Sequence, residues 1–315
     1  MINSFLMEWS GYRRSAVKAK TAKWAHSYGG HSSSQLMHSA WENDRVVTGD
    51  VREGIFSGGL PYLAVGFGEP LVYLCGSMPN HRNPKSGPER TLTLRTINPL
   101  ARAGFEVYFT NRWPGMAPDI SFAEVAERHA DAILDHFGEP VDVLGASTGG
   151  SLALQLIADR PDAVRKAVVA CAAYTLGPFA KHGQQRMLSA VEETGRYSAE
   201  VILDAMEGKF RGRWLRTLLA PVAMLAAKRV TIEKPTDAIA MLRAEDAFDV
   251  RDRLRDISTE TLVVCGAQDL FWTPEMFAET AFRLPNGKLI MYRNRGHALI
   301  TAPEFFRDVT TFLRG

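Results

Sequence analysis

From residue 46 onward, short continuous apolar runs alternate with segments whose apolar positions recur at helical spacing. The runs are LVYLC (71–75), FEVYF (105–109), VDVLG (141–145), KAVVACA (166–172), TLVVCG (261–266) and KLIMY (288–292). Their length and unbroken apolar character predict strands buried on both faces. Two earlier strands are expected at 46–51 and 62–65, beside the glycine-rich turns SGGLP and GFGEP. Between the runs lie predicted helices. Phe122, Val125, Ala126, Ile133 and Phe137 share one face over 122–137. GSLALQLIAD (150–159) follows directly on a strand. Thr273-Pro274 reads as an N-cap followed by proline in the first turn, with Trp272 and Phe277 spaced as a hydrophobic staple. Phe305, Phe306, Val309, Phe312 and Leu313 form the apolar face of a last helix.

Strands alternating with helices predict an α/β fold with a mostly parallel central sheet covered on both faces. One interval breaks the alternation. Residues 177–247 show no strand, only helix-like segments such as AEVILDAM and TDAIAMLRA and the apolar run 214–227. This is a helical insertion between two sheet strands. The expected organisation is an N-terminal extension (1–45), a core from 46–176 and 248–315, and a helical cap at 177–247. The extension carries a basic cluster of Arg13, Arg14, Lys18, Lys20 and Lys23, which reads as a solvated face.

Composition adds mainly exclusions. The 315 residues are 46% apolar and carry a formal net charge of +2, from 37 basic and 35 acidic residues. So even a balance gives no reason to expect nucleic acid or an anionic membrane as partner. No apolar stretch reaches the roughly 18 residues of a membrane span. The N-terminus lacks the apolar core of a secretory signal. Three cysteines, Cys75, Cys171 and Cys265, each lie in or beside an apolar run and show no metal-site spacing. They read as reduced, buried strand cysteines. A small-molecule substrate and a cytoplasmic location are expected, and the oligomeric state is left open.

The informative motif is Gly145-Ala146-Ser147-Thr148-Gly149-Gly150, a G-x-S-x-G set between a strand run and a helical run. A chain that turns this sharply holds the serine in a strained conformation, and larger side chains beside it would collide with neighbouring backbone. The turn lifts the Ser147 hydroxyl above the sheet edge, over a helix N-terminus that favours negative charge. A serine hydroxyl needs a base. Of eight histidines, His297 follows a late strand and a short loop, in NRGHA. An orienting carboxylate is also needed. Asp269 sits just past TLVVCGA, where that strand reaches the same sheet edge. Glu275 is a rival, but it falls inside the predicted helix. The chain order Ser, Asp, His is the order used with this elbow.

With LPYLAVGFGEPLVYLCG, GFEVYFTNRWPG, VDVLGASTGGSLALQLIADRP, TLVVCGAQDLFWTPE and RGHALI, the chain resembles the α/β-hydrolase superfamily over about residues 50 to 315, in its cap-bearing serine hydrolase and esterase branch. The resemblance implies an acyl-enzyme on Ser147, with Asp269 and His297 completing the triad and no metal or organic cofactor. It also implies an oxyanion hole from the backbone N–H groups of Ser77 and Thr148. Relatives usually carry His-Gly where this chain has Cys75-Gly76, and an Asp with an Arg-Gly turn where it has Asn111-Arg112-Trp113-Pro114-Gly115. Backbone donors do not depend on the first change. Met78, Trp113 and Met116 are candidates to line a substrate pocket. Ser147 argues against dehalogenase or epoxide hydrolase chemistry, in which the family uses an aspartate at that place. The expected reaction is hydrolysis of a carboxylic ester, thioester or lactone of a small apolar substrate. The same machinery leaves open C–C bond hydrolysis, aminopeptidase action, acyl transfer and perhydrolysis, and a hydrolase-fold receptor or scaffold is the non-enzymatic alternative.

Overall fold

A computed structural model describes residues 51–206 and 232–315. The 1–45 extension with its basic cluster, residues 46–50 of the first expected strand and the apolar run 214–227 lie outside the described residues. The strands are β1 (Arg52–Ile55), β2 (Pro61–Val65), β3 (Glu69–Leu74), β4 (Phe105–Thr110), β5 (Val141–Ala146), β6 (Val164–Ala170), β7 (Glu260–Gly266) and β8 (Gly287–Tyr292). The helices are α1 (Gly87–Arg102), α2 (Phe122–Phe137), α3 (Thr148–Asp159), α4 (Pro178–Thr194), α5 (Ala199–Met206), α6 (Pro235–Asp246), α7 (Pro274–Arg283) and α8 (Pro303–Arg314). The strands form one sheet in the order β1-β2-β4-β3-β5-β6-β7-β8. β2 runs antiparallel to both β1 and β4, and every other pairing is parallel.

Side-chain alternation along each strand divides the core in two. Leu71, Tyr73, Leu144, Val168 and Val264 face Leu94, Ile97 and Leu100 of α1 and the five expected apolar residues of α8. Val72, Leu74, Val143, Val169 and Val263 face α2, α3 and α7 through Val125, Ile133, Leu152, Leu156 and Phe277. The central strands are buried on both sides, which is why they read as unbroken apolar runs.

Local signals hold where they were strongest. Ser121 and Glu124 form a reciprocal capping box at the start of α2. The Thr273 hydroxyl accepts from Met276 N–H, and the Trp272 and Phe277 rings pack at 6.5 Å. The expected strand at 46–51 lies almost wholly outside the described residues, and the first described strand is 52–55. It is an edge strand whose polar side chains, Arg52 and Glu53, pair with Glu106 and Arg90, so it carries no apolar run. Helix α1 has no predicted counterpart, because Arg90, Arg95, Arg102 and Pro99 dilute the spacing of Leu94, Ile97 and Leu100. Helix α4 lies in the expected helical insertion but was not singled out within it; Pro178 is in its first turn and a left-handed Gly195 at its C-cap.

Between β6 and β7 the described residues hold three helices, α4, α5 and α6, and no strand. They share an apolar cluster of Met187, Val191, Val201, Ile232, Ala238 and Leu242.

Candidate active site

β5 ends at Ala146 and α3 begins at Thr148, so the whole turn is Ser147. Its backbone sits at φ 56°, ψ −123°, a strained conformation for a residue with a side chain. The neighbours explain why the strain persists. Ser147 N–H donates to Ala170 O on β6 at 2.9 Å. A Cβ at Gly145 would lie 2.0 Å from Gly149 O, and one at Gly149 would lie 2.0 Å from Leu74 O. Only glycine at both places lets strand, turn and helix pack this closely.

The strained turn aims Ser147 at His297. Ser147 Oγ lies 3.0 Å from His297 Nε2, and His297 Nδ1 lies 2.9 Å from Asp269 Oδ2. A carboxylate only accepts, so Nδ1 carries the proton and leaves the Nε2 lone pair free to accept from Ser147. Asp269 is fully buried, and its other oxygen accepts from Phe271 N–H at 2.8 Å. The ring of His297 stacks on Trp272 at 5.7 Å and meets the edge or face of Phe271 at 5.0 Å. Three residues spread over 150 positions are thus one hydrogen-bonded line. Glu275, the rival acid, lies in the first turn of α7.

Cys171 lies under this line. Its Sγ donates to His297 O at 3.2 Å, and its ligand atom lies within 4.8 Å of those of Asp269 and His297. Among the described residues this is the group that could hold a metal. Burial pushes the Cys171 thiol well up, which keeps it protonated and a poor ligand. The three cysteines are free and buried, as their apolar surroundings predict.

The other expected residues fall in two places. Ser77 and Met78 follow β3 on a loop beside Ser147, where a Cβ at Gly76 would stand 3.5 Å from Ser147 Cβ. Thr148 is the first residue of α3, so its N–H is among those with no partner inside the helix. Trp113 and Met116 are in the hydrophobic core with Phe122 and Val125, and Arg128 lies 4.0 Å over the Trp113 ring. Their described contacts are packing contacts. Cys75 has Arg112 Nη1 at 3.2 Å; burial pushes its thiol up against the opposing pull of Arg112. Asn111, buried after β4, donates through Nδ2 to Asn80 O and Arg82 O, at 2.8 and 3.1 Å. An aspartate there could not make these bonds.

Several polar residues around the site had no signal of their own. Tyr197 Oη donates to Met78 O at 3.1 Å and lies 3.2 Å from Ser77 Oγ, which therefore donates to it. Glu245 Oε2 accepts from Thr148 Oγ1 at 2.9 Å. Both oxygens of Asp237 accept backbone N–H groups, from Gly115 at 2.8 Å and Met116 at 3.0 Å. Glu233 N–H donates to Asn80 Oδ1 at 2.7 Å. All four are in the helical insertion, and all bond to residues that follow β3, β4 or β5.

Sequence and structure comparisons agree with this architecture. The model of the alpha/beta hydrolase family matches residues 93–309. A pimeloyl-[acyl-carrier protein] methyl ester esterase of Neisseria meningitidis is 28% identical over 208 residues, covering 59% of this chain and 77% of that protein. The provisionally named carbamate hydrolase RutD of Caulobacter vibrioides is 27% identical over 224 residues, covering 65% and 82%. Among solved structures, the enol-lactonase of Burkholderia xenovorans LB400 superposes with a TM-score of 0.64 at 18% identity, over 84% of this chain and all of that one (100%). With a match over most of its described core, the chain belongs to the alpha/beta hydrolase family, and its relatives support a hydrolase. Among the described residues no helix is long and apolar enough to cross a membrane.

Proposed function

We propose that the protein is a serine hydrolase that cleaves a carboxylic ester, thioester or lactone of a small, largely apolar substrate. The observation that carries this reading is the Ser147–His297–Asp269 line, with its 3.0 and 2.9 Å separations and the tautomer they require. Ser147 Oγ attacks the substrate carbonyl carbon while its proton passes to His297 Nε2. Asp269 holds Nδ1–H and stabilises the imidazolium that forms. The Ser77 and Thr148 N–H groups receive the oxyanion. Collapse of the tetrahedral intermediate breaks the bond to the leaving group, which takes the proton from Nε2. Water then attacks the acyl-enzyme, gives its proton to His297 and releases the acid, and Ser147 recovers its proton. No step calls on a metal or organic cofactor.

The helical insertion acts as the cap. Met78, on the loop with Ser77, lines the pocket, and Trp113 and Met116 support its wall from the core side. The esterase relative favours an ester over the other bonds this machinery can open.

The test is turnover of p-nitrophenyl esters of graded acyl length, with labelling by a fluorophosphonate. Wild type should turn over at least one ester and take the label, and Ser147→Ala should do neither. A folded wild type that neither turns over nor labels would sink the triad assignment and favour a non-catalytic receptor.

A further inference from the structure

Arg112 follows β4 and is 1% exposed. Its Nη1 donates to Gly76 O at 2.5 Å and to Cys75 Sγ at 3.2 Å. Nε and Nη2 have no hydrogen-bond partner, and Arg112 forms no ion pair among the described residues. A guanidinium is a permanent cation, and leaving one buried and unpaired is costly. Its field reaches its surroundings: burial first, and then the Arg112 charge, depress His81 to about 4. Something near this cation should benefit from it.

The carbonyl that Arg112 grips belongs to the same peptide unit as Ser77 N–H. No peptide bond among the described residues is cis, so the C=O and N–H of this unit point in opposite directions. A donor fixed on Gly76 O therefore turns Ser77 N–H to the other side. The same peptide borders the serine, since a Cβ at Gly76 would stand 3.5 Å from Ser147 Cβ.

We propose that Arg112 is a positioning residue for the oxyanion: acting through the Gly76–Ser77 peptide, it aims Ser77 N–H at the substrate carbonyl oxygen. The inference rests on the serine-hydrolase reading above. A backbone donor aimed at the carbonyl oxygen binds it more strongly once that oxygen carries the negative charge of the tetrahedral intermediate. An interaction that strengthens only then appears in kcat rather than KM.

Wild type, Arg112→Gln and Arg112→Lys are compared in ester turnover and in affinity for an arylboronic acid, which forms an anionic tetrahedral adduct on a reactive serine. Arg112→Gln should lower kcat by about 10²-fold, with KM changed by less than about threefold. Boronic-acid affinity should fall in step with kcat, and Arg112→Lys should restore part of both. A merely structural arginine would lower thermal stability and leave boronate affinity unchanged in the folded fraction, which overturns the proposal. So does a loss confined to KM. If Arg112→Gln does not fold, Arg112→Lys decides: it keeps the charge and loses the fork, so kcat and boronate affinity must fall together, and a fall in one alone overturns it. A wild type that binds neither boronic acid nor fluorophosphonate overturns the serine-hydrolase reading itself. A reactive wild type with indifferent Arg112 variants overturns this proposal alone.

Discussion

Thr148 Oγ1 donates to Glu245 Oε2 at 2.9 Å, which ties the residue after Ser147 to a helix 97 positions further along the chain. Ser77 makes the matching connection, from its Oγ to Tyr197 Oη at 3.2 Å. The two residues proposed to donate oxyanion hydrogen bonds are therefore both held by side-chain bonds to the insertion. Each of these two bonds can be removed separately.

Glu245 is the acceptor shared by Thr148 and Gln184, and desolvation by burial raises its pKa above the usual carboxylate range. Glu245→Ala leaves a buried hydroxyl without its acceptor and should cost about 1–3 kcal/mol of stability. Glu245→Gln keeps an amide oxygen in place and discards a buried acid, so it should be close to neutral. Urea unfolding followed by tryptophan fluorescence separates the two. Equal losses would mean that the charge, not the acceptor, is what matters.

Tyr197→Phe removes the hydroxyl that accepts from Ser77 and donates to Met78 O. A net hydrogen-bond contribution of about 0.5–1.5 kcal/mol, lost at the loop that carries Ser77, corresponds to a fall of about 2- to 10-fold in kcat. Steady-state kinetics on the best ester found for wild type is the readout. Unchanged kcat with a raised KM would assign Tyr197 to the pocket instead.

Asp269 accepts from His297 Nδ1–H through one oxygen and from Phe271 N–H through the other. In Asp269→Asn the oxygen can serve only one of them. If the amide NH2 faces His297, it imposes the tautomer whose Nε2 carries a proton and cannot accept from Ser147. The expected loss is about 10³- to 10⁴-fold in kcat with the fold retained. A variant within about tenfold of wild type would move the orienting role to another acid.

What the sequence disclosed follows from how local each signal was. Ser147 was legible because its glycines, strand and helix are contiguous. The approach of His297 and Asp269 to it was legible because each lies on a loop after a strand that must reach the same sheet edge. The core face of α8 was legible in full, since all five of its expected residues are buried. Arg112, Tyr197, Glu245 and Asp237 were not, because each acts through partners 36 to 122 positions away and none sits in a recurring pattern. Trp113, an aromatic beside a sheet-edge loop, has its ring covered by Arg128 of α2 and its backbone oxygen taken by His81, contacts that no local pattern announces.

Acid stability offers a check that does not depend on the chemistry. His129 and His81 are buried, and each donates Nδ1–H to a backbone oxygen, of Val125 at 2.7 Å and Trp113 at 3.2 Å. Burial is the first cause that lowers both, to about 3 for His129 and about 4 for His81. In the unfolded chain a histidine titrates near its ordinary value of about 6.5. Above that pH both states are neutral and neither residue biases folding. Below it the unfolded chain binds protons that the folded protein refuses. Stability should therefore fall as pH drops from about 6.5 toward 4, by up to about 1.4 kcal/mol per pH unit for each histidine. In that range the two histidines together contribute up to about two protons to the slope, opposed by Glu245, whose raised pKa lets the folded protein take up its proton first. His129→Gln should reduce it by about one proton, whatever it does to absolute stability. Denaturant unfolding at closely spaced pH values measures the slope, and a His129→Gln slope equal to wild type would mean that His129 is already protonated in the folded protein.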